Sequence, residues 1–195
     1  EEVIEKTLEE GEKVFVMSHS LGGQVAMNYT LLQPSRVAGL ILLSPAPLFV
    51  PHRMIRPYWL VHSMTALHKR IDSTPLRPLW RHALRLIWIL WGFTPRISTG
   101  AVSHGQRRLH MVDFWAQRGR CAKLKQQGVP TLMAWSKNDP MIEPELHHDM
   151  SQSLPGGPRL VYKDGGHFIN KHHAGPIAAA VVEWMGLCAM REDAL

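Results

Sequence analysis

Apolar residues recur along this chain in two rhythms. Lys13 to Met17, Val37 to Leu43, Val129 to Trp135 and Arg159 to Tyr162 are short runs rich in β-branched and aromatic side chains, and they predict strands. Val37 to Leu43 is almost wholly apolar, as a strand buried on both faces must be. Between these runs the spacing changes to that of helices. Helices are expected over Glu1 to Gly11, Leu21 to Leu32 (stopped by Pro34), Glu143 to Leu154 and Gly175 to Leu187. Strand alternating with helix predicts an α/β fold whose parallel sheet is covered on both faces. The alternation breaks once, from Ser44 to about Gln127.

The strand at Lys13 to Met17 stops at Ser18-His19-Ser20, and a helix begins at once behind Gly22-Gly23. Small residues flank Ser20 two positions away on each side, Ser18 before it and Gly22 after it. That is the sequence form of a nucleophile elbow, a strained strand-to-helix turn that lifts a serine Oγ above the sheet. The tight turn is expected to demand small residues at 18 and 22.

Ser18-His-Ser-Leu-Gly-Gly23, Ser136-Lys-Asn-Asp-Pro-Met-Ile142 and Gly165-Gly-His-Phe168 together resemble the α/β-hydrolase superfamily, with Ser18 where the family pattern has glycine. The resemblance implies an α/β-hydrolase fold and a triad of Ser20, Asp139 and His167, each just past a strand. It implies the Leu21 backbone N–H as an oxyanion donor and needs neither cofactor nor metal. A serine nucleophile favours ester or related acyl chemistry. Glu143 and Asp164 are rival acids. His147-His148 and His172-His173 diverge on their helices and are expected to be solvated. His19 is given no separate part in the triad. Against the family pattern, the elbow strand stands first rather than fifth. The chain is therefore expected to be N-terminally truncated, lacking four strands and the second oxyanion donor and exposing Val14 to Met17 as an apolar edge.

Composition adds little to the fold and more to the interruption. The 195 residues are 45% hydrophobic, enough for one core, and the two cysteines form no metal or CxxC spacing. The acidic start, Glu1-Glu2, is unlike a signal peptide, so a cytoplasmic location, peripheral to a membrane at most, is expected. Residues 1–45 and 127–195 are expected to form the core, and 46–126 a helical cap. The cap holds five of the seven tryptophans and carries a formal charge of +12, against −6 for the rest. Trp80, Leu84, Ile87, Trp88 and Trp91 fall at helical spacing, with Arg81 and Arg85 flanking. The run from Leu84 to Phe93 is shorter than the ~20 residues of a bilayer span. Trp80, Trp88 and Trp91 are candidates to line a substrate pocket, to pack the cap, or to meet an anionic membrane surface. No nucleic-acid motif accompanies the charge. The expected activity is a serine hydrolase acting on a small ester or lipid. The alternatives are a membrane-surface or lipid-binding protein and a catalytically silent member of the fold.

Overall fold

Four apolar runs pair as four parallel strands: β1 (Val14–His19), β2 (Val37–Leu43), β3 (Thr131–Ser136) and β4 (Arg159–Tyr162), in the order β1-β2-β3-β4. The structure, a computed structural model, describes residues 9, 11–49, 51, 58–90, 93–109 and 113–192. Most of the helix expected over Glu1 to Gly11 lies outside them. Helix α1 (Gly22–Leu32) follows β1. The helices after β2 are α2 (Tyr58–Ile71), α3 (Arg77–Leu90), α4 (Thr99–Leu109) and α5 (Phe114–Gln127). Then come α6 (Pro144–Ser153), the single turn α7 (Ile169–His172) and α8 (Ala174–Glu192).

Side-chain alternation along the inner strands divides the core into two layers. Leu40 and Leu42 of β2 and Met133 and Trp135 of β3 face one way, onto Met27 of α1, Cys121 and Leu124 of α5, and Met150 of α6. Ile41, Leu43, Leu132 and Ala134 face the other, onto Ile169 and α8 residues Ile177, Val181 and Trp184. Each fully buried side chain of this size contributes about 1.5–3 kcal/mol. Among the described residues β1 is an edge strand, and Met17 on it is 51% exposed.

The chain divides into two compact units, residues 1–49 with 114–195, and residues 50–113. The second is narrower than the expected 46–126. Helix α5 belongs with the sheet because Cys121 and Leu124 join its core and Gln117 donates to the Ala46 carbonyl at 3.1 Å. Among the described residues the 50–113 unit has three helices, packed around Leu84, Trp88 and Val102. It is also knit by polar groups. Asp72 receives a bidentate pair from Arg81 (2.6 and 2.9 Å) and a further bond from Arg107. His68 lies between Trp80 and Ser103, and Gln106 between Thr65 and Trp88.

Candidate active site

A strand that must turn into a helix within one residue needs a backbone most residues avoid. Ser20 supplies it, with φ +54°. Such a left-handed, non-glycine residue costs about 1–3 kcal/mol and persists only where its surroundings hold it. Here the Ser20 N–H donates to the Leu43 carbonyl at 2.9 Å, and its carbonyl accepts from Gly23 and Ala46 at 3.0 and 3.1 Å. The steric demand falls one residue later than expected. A Cβ on Gly22 would stand 3.8 Å from the Ser18 Cβ, an ordinary contact, whereas on Gly23 it would stand 3.1 Å from Pro45.

The chain end of β4 brings His167 to this turn. The loop before it needs glycine twice, at Gly165 (φ +109°) and Gly166 (φ +59°), and a Cβ on Gly165 would also strike the His173 ring at 2.8 Å. Polar side chains fix the loop. Ser136 Oγ donates to the Gly166 carbonyl at 2.7 Å, and the Gly166 N–H donates to Asn138 Oδ1 at 2.8 Å. His173 Nε2 bonds Asp164, and its ring stacks on Tyr162 with centroids 4.2 Å apart.

Asp139 arrives from the turn after β3. Its Oδ1 accepts the N–H groups of Met141 and Ile142 at 2.8 and 3.1 Å, which aims Oδ2 at His167 Nδ1, 2.8 Å away. His167 Nε2 lies 2.8 Å from Ser20 Oγ. Asp139 and His167 are buried and Ser20 is half-buried. Burial pushes the Asp139 carboxyl up, but the His167 hydrogen bond and charge, with the Met141 N–H, outweigh it and hold the group below its ordinary value. An ionised carboxylate only accepts, so Nδ1 carries the proton and the Nε2 lone pair faces the serine hydroxyl. The Leu21 N–H sits at the N-terminus of α1.

The structure thus brings Ser20, Asp139 and His167 into one chain of hydrogen bonds, and it is Asp139 rather than Asp164 or Glu143 that meets His167. Trp80 and Trp88 are turned into the 50–113 unit and spend their ring N–H groups on His68 (3.0 Å) and Gln106 (3.2 Å). Trp91 lies outside the described residues. Two expectations of solvated histidines are corrected. His147 is fully buried with Nε2 donating to the Pro45 carbonyl at 3.2 Å, and burial pushes its pKa down to about 4. His173 is packed and bonded as described. The loop-fixing roles of Ser136, Asn138 and His173 went unread in the sequence; Asn138, adjoining the acid, carried the one local signal. Among the described residues no group of three or more His, Cys, Asp or Glu is assembled as a metal site.

Proteins similar to this chain include hydrolases known by sequence and by structure. A 2-hydroxy-6-oxononadienedioate/2-hydroxy-6-oxononatrienedioate hydrolase of Klebsiella pneumoniae is 23% identical over 192 residues, covering 89% of this chain. This chain spans 62% of that relative's length. The esterase EaEST of Exiguobacterium antarcticum superposes with a TM-score of 0.62 at 20% identity, over 95% of this chain and 70% of that one. A monoacylglycerol lipase of Paleococcus ferrophilus gives 0.55 at 18%, over 96% and 74%. Sequence features of the alpha/beta hydrolase family match residues 1–180, and the chain belongs to that family.

Proposed function

We propose that this protein is a serine hydrolase that cleaves an ester through an acyl-enzyme, with Ser20 as nucleophile, His167 as base and Asp139 as its orienting acid. One observation carries the reading: the continuous Asp139–His167–Ser20 chain of 2.8 Å contacts ending on a strained, half-buried serine. As Ser20 Oγ attacks the ester carbonyl, His167 takes its proton, and Asp139 stabilises the imidazolium. The negative charge on the carbonyl oxygen develops toward the Leu21 N–H; one such donor is worth on the order of 10²–10³ in turnover. His167 then protonates the departing alkoxide. A water repeats the sequence to free the acid. The esterase and lipase among the similar folds support an ester as substrate. Wild type should react with a fluorophosphonate probe and hydrolyse p-nitrophenyl esters, and Ser20→Ala should do neither while keeping its circular dichroism. Labelling that survives Ser20→Ala would sink the assignment. Absence of labelling in the wild type would favour a catalytically silent member.

A second reading concerns residues 50–113, whose formal charge is +8. Leu79, Leu86 and Leu90 of α3 are 72%, 58% and 78% exposed, in one stripe opposite Leu84 and Trp88. An exposed leucine stripe on a cationic helical unit suits an anionic lipid surface. Arg81 is held by Asp72, and Arg85 donates to the Ile97 and Pro95 carbonyls. Co-sedimentation with anionic vesicles should weaken as salt rises. It should fall in Leu79→Ser with Leu86→Ser and change less in Arg85→Gln. No binding at low salt would reject this reading.

A further inference from the structure

We propose that His19, the residue before the nucleophile, is a positioning residue that holds the base, His167, by its backbone; this rests on the serine-hydrolase reading above. His19 Nε2 lies 2.8 Å from the His167 carbonyl. A carbonyl only accepts, so Nε2 is the donor and His19 is in its Nε2–H form. The ring also stacks on Phe168, with centroids 5.3 Å apart and planes 30° apart, and stands 5.0 Å from the His167 ring. Burial lowers the His19 pKa, with the bond to the His167 carbonyl opposing and the His167 charge adding, so the ring stays neutral beside the base.

The position of His19 explains why this bond matters. The nucleophile is fixed by strand β1 and helix α1. The base hangs on a loop that carries two left-handed glycines. Ser136 and Asn138 hold that loop to β3, on the acid's side of the site. His19 adds a backbone tie to the serine's side. Its donor comes from the last residue of the strand that leads into Ser20, so nucleophile and base share one rigid reference. The Nε2–Oγ distance is then set by the strand rather than by the loop.

Three variants separate the bond from the ring. In His19→Gln the amide nitrogen is as many bonds from Cβ as Nε2, so it can donate to the same carbonyl. In His19→Asn it falls one bond short. His19→Phe keeps a ring for Phe168 and has no donor. Reacting groups displaced by about an ångström lose on the order of 10²-fold in rate. We expect His19→Gln within about threefold of wild-type kcat, and His19→Asn and His19→Phe lower by roughly 10- to 100-fold at near-constant KM. The downfield NMR signal of the His167 Nδ1–H, bonded to Asp139, should persist in His19→Gln and broaden in the other two. The proposal is overturned if His19→Asn and His19→Phe match wild type in rate and signal. It is equally overturned if His19→Gln is as impaired as they are, since the ring and not the bond would then be at work. The NMR signal is read without turnover, so loss of the serine assignment in Ser20→Ala leaves this test standing.

Discussion

Two histidines in this molecule each stand between a serine and a third side chain, and only one of the two is arranged to accept its serine's proton. In the sheet unit, His167 Nε2 is 2.8 Å from Ser20 Oγ. In the 50–113 unit, His68 Nε2 is 3.0 Å from Ser103 Oγ. The heavy-atom geometry is nearly the same. The third partner differs. Asp139 accepts from His167 Nδ1, which leaves a lone pair on Nε2 for the serine proton. Trp80 Nε1–H donates to His68 Nδ1 at 3.0 Å, so His68 carries its proton on Nε2 and donates it to Ser103. An indole cannot accept, and the tautomer is reversed. The nearby acid, Asp72, is engaged by Arg81 and Arg107 instead. A buried His, Ser and Asp within one unit therefore make a site only when the carboxylate is on the far side of the imidazole.

The largest effect that could break this comparison is on the two acids. On the proposed serine-hydrolase reading, Asp139→Asn should lower turnover of p-nitrophenyl esters by on the order of 10⁴-fold, because an amide nitrogen facing Nδ1 favours the wrong tautomer. Asp72→Asn should leave fluorophosphonate labelling of Ser20 intact and lower the thermal midpoint, since two guanidiniums lose their anion. Their hydrogen bonds and charge hold the Asp72 carboxyl at about 2, with Arg81 first among them. Steady-state rates and melting curves on the two variants decide the matter. A crippling effect of Asp164→Asn with a silent Asp139→Asn would move the acid.

Acid should distinguish the units next. His147 of the sheet unit is held neutral by burial, at about 4 against an ordinary 6.5. The unfolded chain binds this proton first, so the contribution is whole above about pH 6.5 and is lost as pH falls toward 4. In full it amounts to about 3 kcal/mol. Asp72 runs the same way, but at lower pH. Its depressed carboxyl stabilises fully above its unfolded value and loses that only as pH falls through about 2. Thermal midpoints between pH 7 and 4 should therefore decline, and the decline should flatten in His147→Gln. An unchanged slope in that variant would assign the acid sensitivity elsewhere, with His19 and His68, also lowered by burial, as the next to test.

What could be read from the sequence follows the same division. The strands β2 and β4 fall on their expected residues, β2 because a parallel strand buried on both faces writes a continuous apolar run. Ser20, Asp139 and His167 were singled out by short motifs that each follow a strand, and the structure brings them together. The polar network of the 50–113 unit was not legible. Helical spacing places Arg81 and Arg85 on a flanking face but does not report what lies across from it. Asp72 is nine residues before Arg81, and Arg107 lies on another helix, so no local pattern joins them. His147 was misread for a related reason: adjacent histidines diverge, and which of the two is buried depends on where Pro45 ends up. Gly22 was given the steric demand of Gly23 because the elbow motif names the first glycine, while the close neighbour, Pro45, comes from the next strand's loop.

The smallest expected effect is the sharpest test of the comparison, and it falls on Ser103. If proton direction, and not heavy-atom distance, makes a nucleophile, Ser103→Ala should change neither the rate nor the extent of fluorophosphonate labelling. Its cost should be confined to one buried hydrogen bond from His68, about 0.5–1.5 kcal/mol. Trp80→Phe goes further, because it removes the donor that fixes the His68 tautomer and leaves Nδ1 without that partner. His68 could then present a lone pair to Ser103. It would still lack a carboxylate on Nδ1 to stabilise the imidazolium, so we expect lower stability and no new labelled serine. Peptide mapping of the labelled protein reads the outcome directly. A labelled Ser103 in Trp80→Phe would mean that the tautomer alone separates the two serines. An unlabelled one would mean that the carboxylate behind His167 is needed as well.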